Sequence, residues 1–444
     1  MDFLKQIALP QSEAHIGVLH FVLNVIYIIL LPFVSYLFGA LVLSLYTNRR
    51  GRVNGQQYDL RFSEEVISHI LPTKNIVVLF GVVPFMALVF AYAQLLQSSM
   101  AISVSILTWG ALLFAAAAAF ASSYESSTKL SGMLNTVPKS NEEIDLFRSQ
   151  MVETRRTSGK YALLFLSASI YMLIAGTSLA SHPEQWLTVS SVMQLLLSLE
   201  VWVKIVQFVL LSLAIASLGT VYFTFSWQGG KKNIDKGYAD HVKKSALPIG
   251  LLSLLAQPVL VVLSVVLLPV SALSGLVFIS SFLVIFFVFV TSHFVYGMIK
   301  EFKTGYAGNA FYSFFLVLLF IVVQTTSSLS SSTQKHSAIV AFQYDAFHEE
   351  LLAKMGIGLA TMTGEEIFGA KCSACHEFGA KKVGPAYKDV LPKYENDRTK
   401  LLSFVMNPQK MNPAFPPMPN QGLKPAEADS ITAYIMMMYK QGQK

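Results

Sequence analysis

The sequence predicts an all-α protein in which a bundle of eight transmembrane helices precedes a small soluble domain. Three observations predict this fold class. The 444-residue chain is 53% hydrophobic and only 13% charged, whereas an ordinary soluble domain carries about 25% charged residues. Eight long apolar stretches lie before residue 330. After residue 330 the chain regains the charged residues, proline and glycine of an ordinary soluble domain.

Each apolar stretch is predicted to form one transmembrane helix. A hydrocarbon core about 30 Å thick is crossed by a helix of about 20 apolar residues, and each stretch meets that length. We therefore expect a transmembrane domain over residues 1–330. The predicted spans are residues 16–46, 76–98, 101–122, 160–180, 198–226, 246–268, 272–299 and 308–330.

Lysine and arginine alternate between the loops that join these spans. The loops near 97–101, 181–191 and 269–271 contain neither residue. Because loops rich in basic residues stay in the cytoplasm, the alternation predicts that both termini lie outside it. The net charge of +7 is then a topology signal, and nucleic-acid binding is not indicated. The basic residues of the other loops are Arg49, Arg50, Arg52, Arg61, Lys139, Arg148, Arg155, Arg156, Lys160, Lys231, Lys232, Lys236, Lys243, Lys244, Lys300 and Lys303.

The first span is predicted to be retained rather than cleaved as a signal peptide. Residues 1–14 carry little positive charge, and the apolar run that follows them is longer than the core of a signal peptide. We therefore expect an N-terminus that is exported and stays attached to the first helix.

The residues Cys372-Ser373-Ala374-Cys375-His376 have the spacing by which a c-type haem is attached. The two thiols can bond the two vinyl groups of haem, and the adjacent histidine can ligate the iron. Zinc would need two further Cys or His ligands at matching spacing, and the chain has no other cysteine. A thioredoxin-like dithiol would not need the histidine and belongs in a βαβ context. The motif therefore predicts one covalently attached haem c.

Residues 363–440 resemble a small class I cytochrome c. The resemblance rests on the haem motif and on Gly384-Pro385, which stand at the usual place of the turn beside the proximal histidine. A helix-like segment opens the domain and another closes it. In this family the two helices cross, so the resemblance implies that Tyr434 packs against Phe368.

The resemblance implies that His376 and Met418 are the two axial ligands of the haem iron. Met418 lies among prolines, in the sequence PPMP, shortly before the last helix. Met411 and Met406 are the alternatives. A thioether opposite an imidazole raises the reduction potential, as in electron-carrier cytochromes. With both axial positions filled by protein, this haem is expected to carry electrons and not to bind substrate.

The haem motif and the topology predict the same location. Cytochrome c maturation takes place on the outer face of the bacterial inner membrane, and the even number of spans places the C-terminal domain there. We expect a multi-pass protein of the bacterial inner membrane with its cytochrome domain, residues 363–444, in the periplasm. Residues 331–362 would connect the two domains and contain a helix over 338–355.

Two predicted spans carry polar side chains along one helical face. Ionisable groups inside hydrocarbon are costly, so each is a functional candidate by default. Both spans enter from the periplasm, so both polar stripes lie in the outer half of the membrane, where we predict a quinone site or a haem b site. The stripes, spaced at i, i+4 and i+7, are His20, Asn24 and Tyr27 in the first span and Glu200, Lys204 and Gln207 in the fifth.

In a quinol site these residues would divide into two roles. His20 and Glu200 would accept protons, and Asn24 and Lys204 would orient the head group. The alternative is structural. In that case Glu200 and Lys204 pair with each other near the interface, and His20 bonds a neighbouring helix.

The membrane domain is similar, over a few segments, to subunit I of the cytochrome bd-like oxidase superfamily. The segments are the surroundings of His20, the run 201–208 in the fifth span and the run 254–258 in the sixth. Gln207 stands where that family usually has a haem-ligating histidine. The paired acidic residues of its third span are missing, and its quinol loop after the sixth span is reduced to a few residues. Together these features imply a membrane scaffold that has lost oxygen reduction.

Three functions are compatible with the sequence. In the first, the chain is an electron-transfer subunit of a respiratory complex. It passes electrons between a quinol, or a membrane partner, and periplasmic redox carriers through one haem c. In the second, it is a bd-like oxidase or reductase that holds haem b in the membrane. In the third, it is a membrane anchor for a periplasmic oxidoreductase. Whether the chain is itself an enzyme stays open.

Overall fold

The chain divides into two compact units, Met1–Tyr344 and Asp345–Lys444. All regular secondary structure in the described residues is helical, which confirms the predicted all-α class. The computed structural model describes residues 8–134, 141–230, 234–301, 305–354, 363–395, 397–413 and 415–442.

Some residues used in the sequence predictions fall outside these ranges. They are Lys139, Lys231, Lys232 and Lys303 of the basic loops, and residues 355–362 of the predicted connection between the domains.

Within the described ranges, eight helices are long and apolar enough to cross a membrane, which confirms the predicted number of spans. The sixth span consists of two helices, α7 and α8, whereas α2 and α11 are additional to the spans. The helices of the first unit, the last of which continues into the second, are α1 (Glu13–Asn54), α2 (Gln57–Ile70), α3 (Asn75–Leu95), α4 (Ser103–Leu134), α5 (Glu142–Ala180), α6 (Leu199–Phe225), α7 (Lys236–Leu255), α8 (Gln257–Val266), α9 (Gly275–Glu301), α10 (Tyr306–Ser332) and α11 (Gln334–Lys354).

Two spans are much longer than their apolar stretches. Helix α1 has 42 residues and α5 has 39, because their polar ends are helical too. Side-chain caps fix where they begin: Ser12 accepts a hydrogen bond from the main-chain N–H of His15, and Asn141 accepts one from that of Ile144. Such caps satisfy main-chain donors that the first turn leaves unpaired. Hydropathy marks only the part of each helix that suits lipid.

The sixth span is interrupted near its middle. Helix α7 ends at Leu255 and α8 begins at Gln257, on either side of Ala256. Pro258 explains the interruption, because proline lacks a main-chain N–H and its ring clashes with the carbonyl four residues before it. The sequence prediction of one continuous span did not include this break.

The two ends of the bundle differ in charge. The loops after α3, α5 and α8 contain no lysine or arginine, and we call that end the non-basic end and the opposite one the basic end. At the basic end Asp59 of α2 is fully buried. It accepts a hydrogen bond from Nε of Arg50 at 2.7 Å and lies 3.0 Å from Nε2 of His241. These contacts tie α2 to α1 and α7.

Helix α1 is central in the bundle and packs against α2, α3, α6 and α10. Its contact with α6 is close at Gly39, where an added Cβ would lie 1.9 Å from the carbonyl oxygen of Ser212. Small residues allow membrane helices to approach in this way. No residue other than glycine fits at position 39 without moving the two helices apart.

In the part of the second unit that the structure describes, four α-helices follow α11 and pack around a hydrophobic core. The first, α12 (Gly364–Ile367), runs into a π-helical turn, Phe368–Cys372, and is followed by α13 (Tyr387–Val390), α14 (Arg398–Met406) and α15 (Pro425–Gln441). The ring centroids of Phe368 and Tyr434 lie 5.9 Å apart, the contact that the resemblance implied. The crossing of the first and last helices thus positions the segment that follows the π-helical turn.

Candidate functional site

The Cys-x-x-Cys-His motif begins at the end of the π-helical turn. The main-chain N–H of His376 donates to the carbonyl of Cys372 at 2.9 Å, which brings the histidine close to the first thiol. Both thiols are free, with Cys372 buried and Cys375 half-buried. Burial raises the pKa of the Cys372 thiol, so this side chain stays protonated at neutral pH.

The ring of His376 is fixed from two sides. Its Nδ1 lies 3.1 Å from the carbonyl oxygen of Pro385. Because a carbonyl only accepts, Nδ1 carries the hydrogen and Nε2 carries the lone pair that a metal needs. The ring also stacks on Tyr387, with centroids 5.0 Å apart and planes 6° apart. The imidazole is therefore set in the tautomer of an iron ligand.

Gly384 leaves room for this ring. A Cβ at position 384 would lie 2.3 Å from Cε1 of His376, far inside van der Waals contact. The main-chain N–H of Gly384 also donates to the carbonyl of Cys375 at 2.9 Å. The predicted Gly384-Pro385 turn thus holds the histidine through a carbonyl at one residue and a missing side chain at the other.

Two adjoining cavities meet at His376. The larger, about 370 Å³, has mostly apolar walls and contains both Met411 and Met418. The smaller, about 70 Å³, is lined by Cys372 and Cys375, and Met418 lines it as well. Met418 is therefore the methionine that both cavities share.

Neither rival methionine lines both cavities. Met411 lines only the larger cavity and is 67% exposed. Met406 packs against the hydrophobic core of the second unit. Two free thiols, an oriented imidazole and a thioether therefore surround an apolar cavity, and this donor set fits a covalently attached haem.

In the membrane domain, Glu200 of the predicted stripe is the centre of a buried cluster. Its Oε2 lies 3.0 Å from Nε2 of His182, and its Oε1 accepts a hydrogen bond from Nζ of Lys204. Lys204 also donates to Oγ of Ser178 at 3.1 Å. His182 and Glu200 are 5% and 8% exposed, so the Glu200 carboxylate depends on His182 and Lys204 rather than on water.

Sequence reasoning missed His182. It stands in the loop between α5 and α6, where its burial depends on the way the loop folds back over the helix ends. Its Nδ1 lies 2.8 Å from the carbonyl oxygen of Ser178. The one available signal was a histidine directly after a span, in a loop that contains no lysine or arginine.

A cavity of about 120 Å³ lies next to this cluster. Tyr27, Lys204 and Gln207 line it, so the two predicted stripes meet there, and α10 contributes Gln324 and Ser328. Lys204 and Gln207 are in the first three turns of α6, and the residues from α10 are in its last three turns. The cavity is therefore at the non-basic end of the bundle.

Two atoms in the wall of this cavity have no hydrogen-bond partner among the described residues. They are Nε2 of Gln207 and Oγ of Ser328, and their side chains are 7% and 4% exposed. A buried polar group without a partner costs about 1–3 kcal/mol. Such groups beside a cavity indicate a ligand or ordered water that completes their hydrogen bonds.

The other stripe residues have different neighbours. Asn24 accepts a hydrogen bond from Thr326 of α10 at 2.7 Å and donates to the carbonyl of His20. The hydroxyl oxygens of Tyr27 and Tyr92 lie 2.9 Å apart. Neither His20 nor Asn24 lines the cavity. The structure thus brings together Tyr27, Lys204 and Gln207, with Glu200 behind Lys204.

Comparison with known proteins identifies the C-terminal part of the chain. Residues 361–438 match the model of the family described as "Cytochrome c". Cytochrome c-552 of Hydrogenobacter thermophilus is 35% identical over 91 residues, which cover 92% of that protein and 19% of this chain. Cytochrome c-551 of Pseudomonas denitrificans is 38% identical over 80 residues, which cover 98% of that protein and 17% of this chain.

Proposed function

The chain belongs, through its C-terminal domain, to the cytochrome c family, and from this premise we propose that it is a membrane-anchored electron-transfer protein. Bound haem c supplies one-electron redox chemistry. The observation that carries the proposal is the donor set of Cys372, Cys375 and His376 around an apolar cavity. The same chain carries eight helices of membrane-spanning length.

We assign Cys372 and Cys375 to haem attachment and His376 and Met418 to the iron. The hydrogen bond from His376 to Pro385 supports a ligating Nε2. The position of Met418 in both cavities favours it over Met411. A histidine and a methionine opposite each other suit an electron carrier with a raised reduction potential.

The alternation of basic loops supports an orientation in the bacterial inner membrane. Loops rich in lysine and arginine remain in the cytoplasm, so the non-basic end would face the periplasm. Helix α10 finishes at that end, and the cytochrome domain would then be periplasmic. The chain would act as the electron-transfer subunit of a respiratory complex that serves a periplasmic redox carrier.

We propose a quinol as the electron donor, with its head group in the cavity of the membrane domain. The cavity volume, about 120 Å³, is close to the ~150 Å³ that accommodates a benzene ring in a protein interior. Gln207 and Ser328 each offer a polar atom that has no partner among the described residues to the two oxygens of the head group. Lys204 and Tyr27 line the same wall, and Glu200 holds Lys204 in place.

Reduction of haem c by a short-chain quinol tests this proposal on the purified full chain. Stopped-flow absorbance should show saturable reduction in the wild type. Gln207→Leu and Ser328→Ala should each raise the apparent KM about fivefold, because each removes a hydrogen bond worth about 1 kcal/mol.

The matched control is Ser292→Ala. Oγ of Ser292 is also buried without a partner among the described residues, but Ser292 does not line the cavity. Its substitution should leave KM unchanged. A wild type that no quinol reduces would leave the membrane domain as an anchor only. Equal effects of all three variants would place the quinol elsewhere.

A haem b in the membrane domain is the alternative, which one observation favours. Nδ1 of His20 is buried and has no hydrogen-bond partner among the described residues. A reduced pyridine haemochrome spectrum separates the two proposals. One haem c and no haem b per chain supports the quinol cavity. A haem b that His20→Ala removes would support an oxidase or reductase of the bd-like type.

A further inference from the structure

When Glu200 is ionised, both ring nitrogens of His182 face groups that can accept hydrogen bonds but cannot donate them. Nδ1 lies 2.8 Å from the carbonyl oxygen of Ser178, and Nε2 lies 3.0 Å from Oε2 of Glu200. A neutral imidazole has one hydrogen and one lone pair, so it satisfies only one of these contacts. The other contact needs an additional proton, on Nε2 of the ring or on the carboxyl group.

The place of this additional proton is connected to the cavity. Lys204 donates a hydrogen bond to Glu200 and also lines the cavity. Ser181, the residue before His182, lines the cavity as well. From Lys204 to the ring of His182, each step is one hydrogen bond. Protons can therefore pass between the cavity and His182 without crossing open hydrocarbon.

We propose that His182, Glu200 and Lys204 form a proton-transfer site that takes up the protons released by quinol oxidation in the cavity. The inference rests on the proposed function and adds a residue, His182, to it. His182 acts through Glu200 and Lys204, and is thus a positioning and proton-accepting residue rather than a contact of the head group.

Atoms and electrons balance in this step. Oxidation of one quinol to quinone breaks two O–H bonds and releases two electrons. They leave one at a time to ferric haem c, which the proposed periplasmic carrier re-oxidises between the two transfers. For each proton, Lys204 gives a proton to Glu200, and the proton of the broken quinol O–H restores the N–H of Lys204. Glu200 passes its proton on, and an N–H forms at Nε2 of His182. His182 releases that proton to water at the non-basic end before the second is taken up.

His182 is ready to accept only when Nε2 is unprotonated. Burial lowers the pKa of His182, but the hydrogen bond and charge of Glu200 outweigh burial, and the pKa lies above the ordinary histidine value. Lys204 opposes this rise. Glu184 lies two residues after His182 in the loop. The ring of His336 in α11 meets that of Trp186 edge-on at 5.1 Å. Trp186 itself follows His182 in the loop.

The test is the pH dependence of quinol-driven haem c reduction in the full chain. In the wild type, kcat should rise with pH through a single midpoint above about 6.5, the ordinary histidine value. His182→Gln keeps a donor to Glu200 but cannot take up the proton. The rise with pH should disappear in this variant, and kcat at pH 8 should fall by about 10²-fold, the usual contribution of a proton acceptor.

A second variant does not depend on removing the ring. Glu200→Gln deletes the charge that raises the pKa of His182. Burial and Lys204 still lower the pKa, and the hydrogen bond to the Ser178 carbonyl still raises it. Glutamine also cannot relay a proton, so kcat should fall as in His182→Gln. The midpoint in this variant is therefore that of the His182 ring itself, followed by NMR, and it should lie below that of the wild type. The control is His293→Gln, because His293 is exposed on α9 and should not change the midpoint.

Each outcome decides the question. A wild-type midpoint below 6.5, or a His182→Gln variant with an unchanged midpoint, overturns the proton-transfer site while the quinol cavity stands. If no quinol reduces the wild type at any pH, the proposed function itself fails and the inference fails with it. If His182→Gln does not fold, as judged by its haem content, Glu200→Gln decides: a lower midpoint supports the site, and an unchanged or higher one overturns it.

Discussion

His376 and His182 are held in the same way and face different partners. In each ring Nδ1 meets a main-chain carbonyl, at 3.1 Å from that of Pro385 and at 2.8 Å from that of Ser178. His376 then lines the cavity of the cytochrome domain, whereas Nε2 of His182 lies 3.0 Å from the Glu200 carboxylate. In our proposals one arrangement serves an electron site and the other a proton site.

In both sites the second ring nitrogen decides the role of the histidine. A carbonyl at Nδ1 fixes the tautomer in both cases. At His376 the two free thiols of the motif can bring a haem to Nε2. At His182 we propose that Nε2, which lies beside the Glu200 carboxylate, takes up a proton instead. Variants of the cytochrome domain test this difference at the haem site, and the pH profile described above tests it at the proton site.

The largest effect is expected at the haem attachment, because the two thiols beside His376 have no counterpart at His182. Cys375→Ala leaves His376 held by Pro385 but removes one of the two thiols that attach the haem. Covalently bound haem should fall at least about tenfold, measured by haem staining after denaturing electrophoresis. Ala374→Ser, between the two thiols, is the control and should keep its haem. Full haem content in Cys375→Ala would contradict the attachment.

A smaller effect is expected at Met418, the second proposed ligand of the iron. His182 has no residue that corresponds to it. Met418→Leu should keep the covalent haem but lose the thioether ligand, which raises the potential. The midpoint potential should fall by on the order of 0.1 V, a fraction of the range that axial ligands span. Met411→Leu is the matched control in the same cavity. If only Met411→Leu lowered the potential, the assignment of the ligand would be reversed.

The smallest effect concerns the room that the ring of His376 needs. Gly384→Ala would place a Cβ 2.3 Å from that ring and should lower the free energy of unfolding by about 1–3 kcal/mol. Guanidinium titration of the full chain, followed by haem absorbance, measures this. Gly369→Ala is the control, because nothing lies within 4 Å of its Cβ. Equal stability of both variants would show that the turn yields without cost.

Features that depend on neighbouring residues in the chain could be predicted from the sequence. The haem motif is five residues long, and each span is a single apolar run, so composition and spacing were sufficient for both. The pairing of Glu200 with Lys204 was the structural alternative at the outset, and the two residues do bond, one helical turn apart.

Features that depend on distant parts of the chain could not be predicted. Asn24 bonds Thr326, which is 302 residues away, and Ser328 enters the cavity from the same helix. Hydropathy shows which residues tolerate lipid but not which helices are neighbours. His182 was missed for the same reason, because its burial requires the loop and two helix ends together. The break at Ala256 could have been found, since Pro258 marks it in the sequence.

The close contact of Gly39 with Ser212 affects the cavity of the membrane domain, although neither residue lines it. This contact sets how close α1 lies to α6. Tyr27 lies twelve residues nearer the non-basic end of α1, about 18 Å away at 1.5 Å per residue. It lines the same cavity as Lys204 and Gln207 of α6. The contact at Gly39 therefore helps to set the distance between the residues of α1 and α6 that line the cavity. A larger residue at position 39 would move the two helices apart. It would thereby change the affinity of the cavity for the proposed quinol from about three helical turns away.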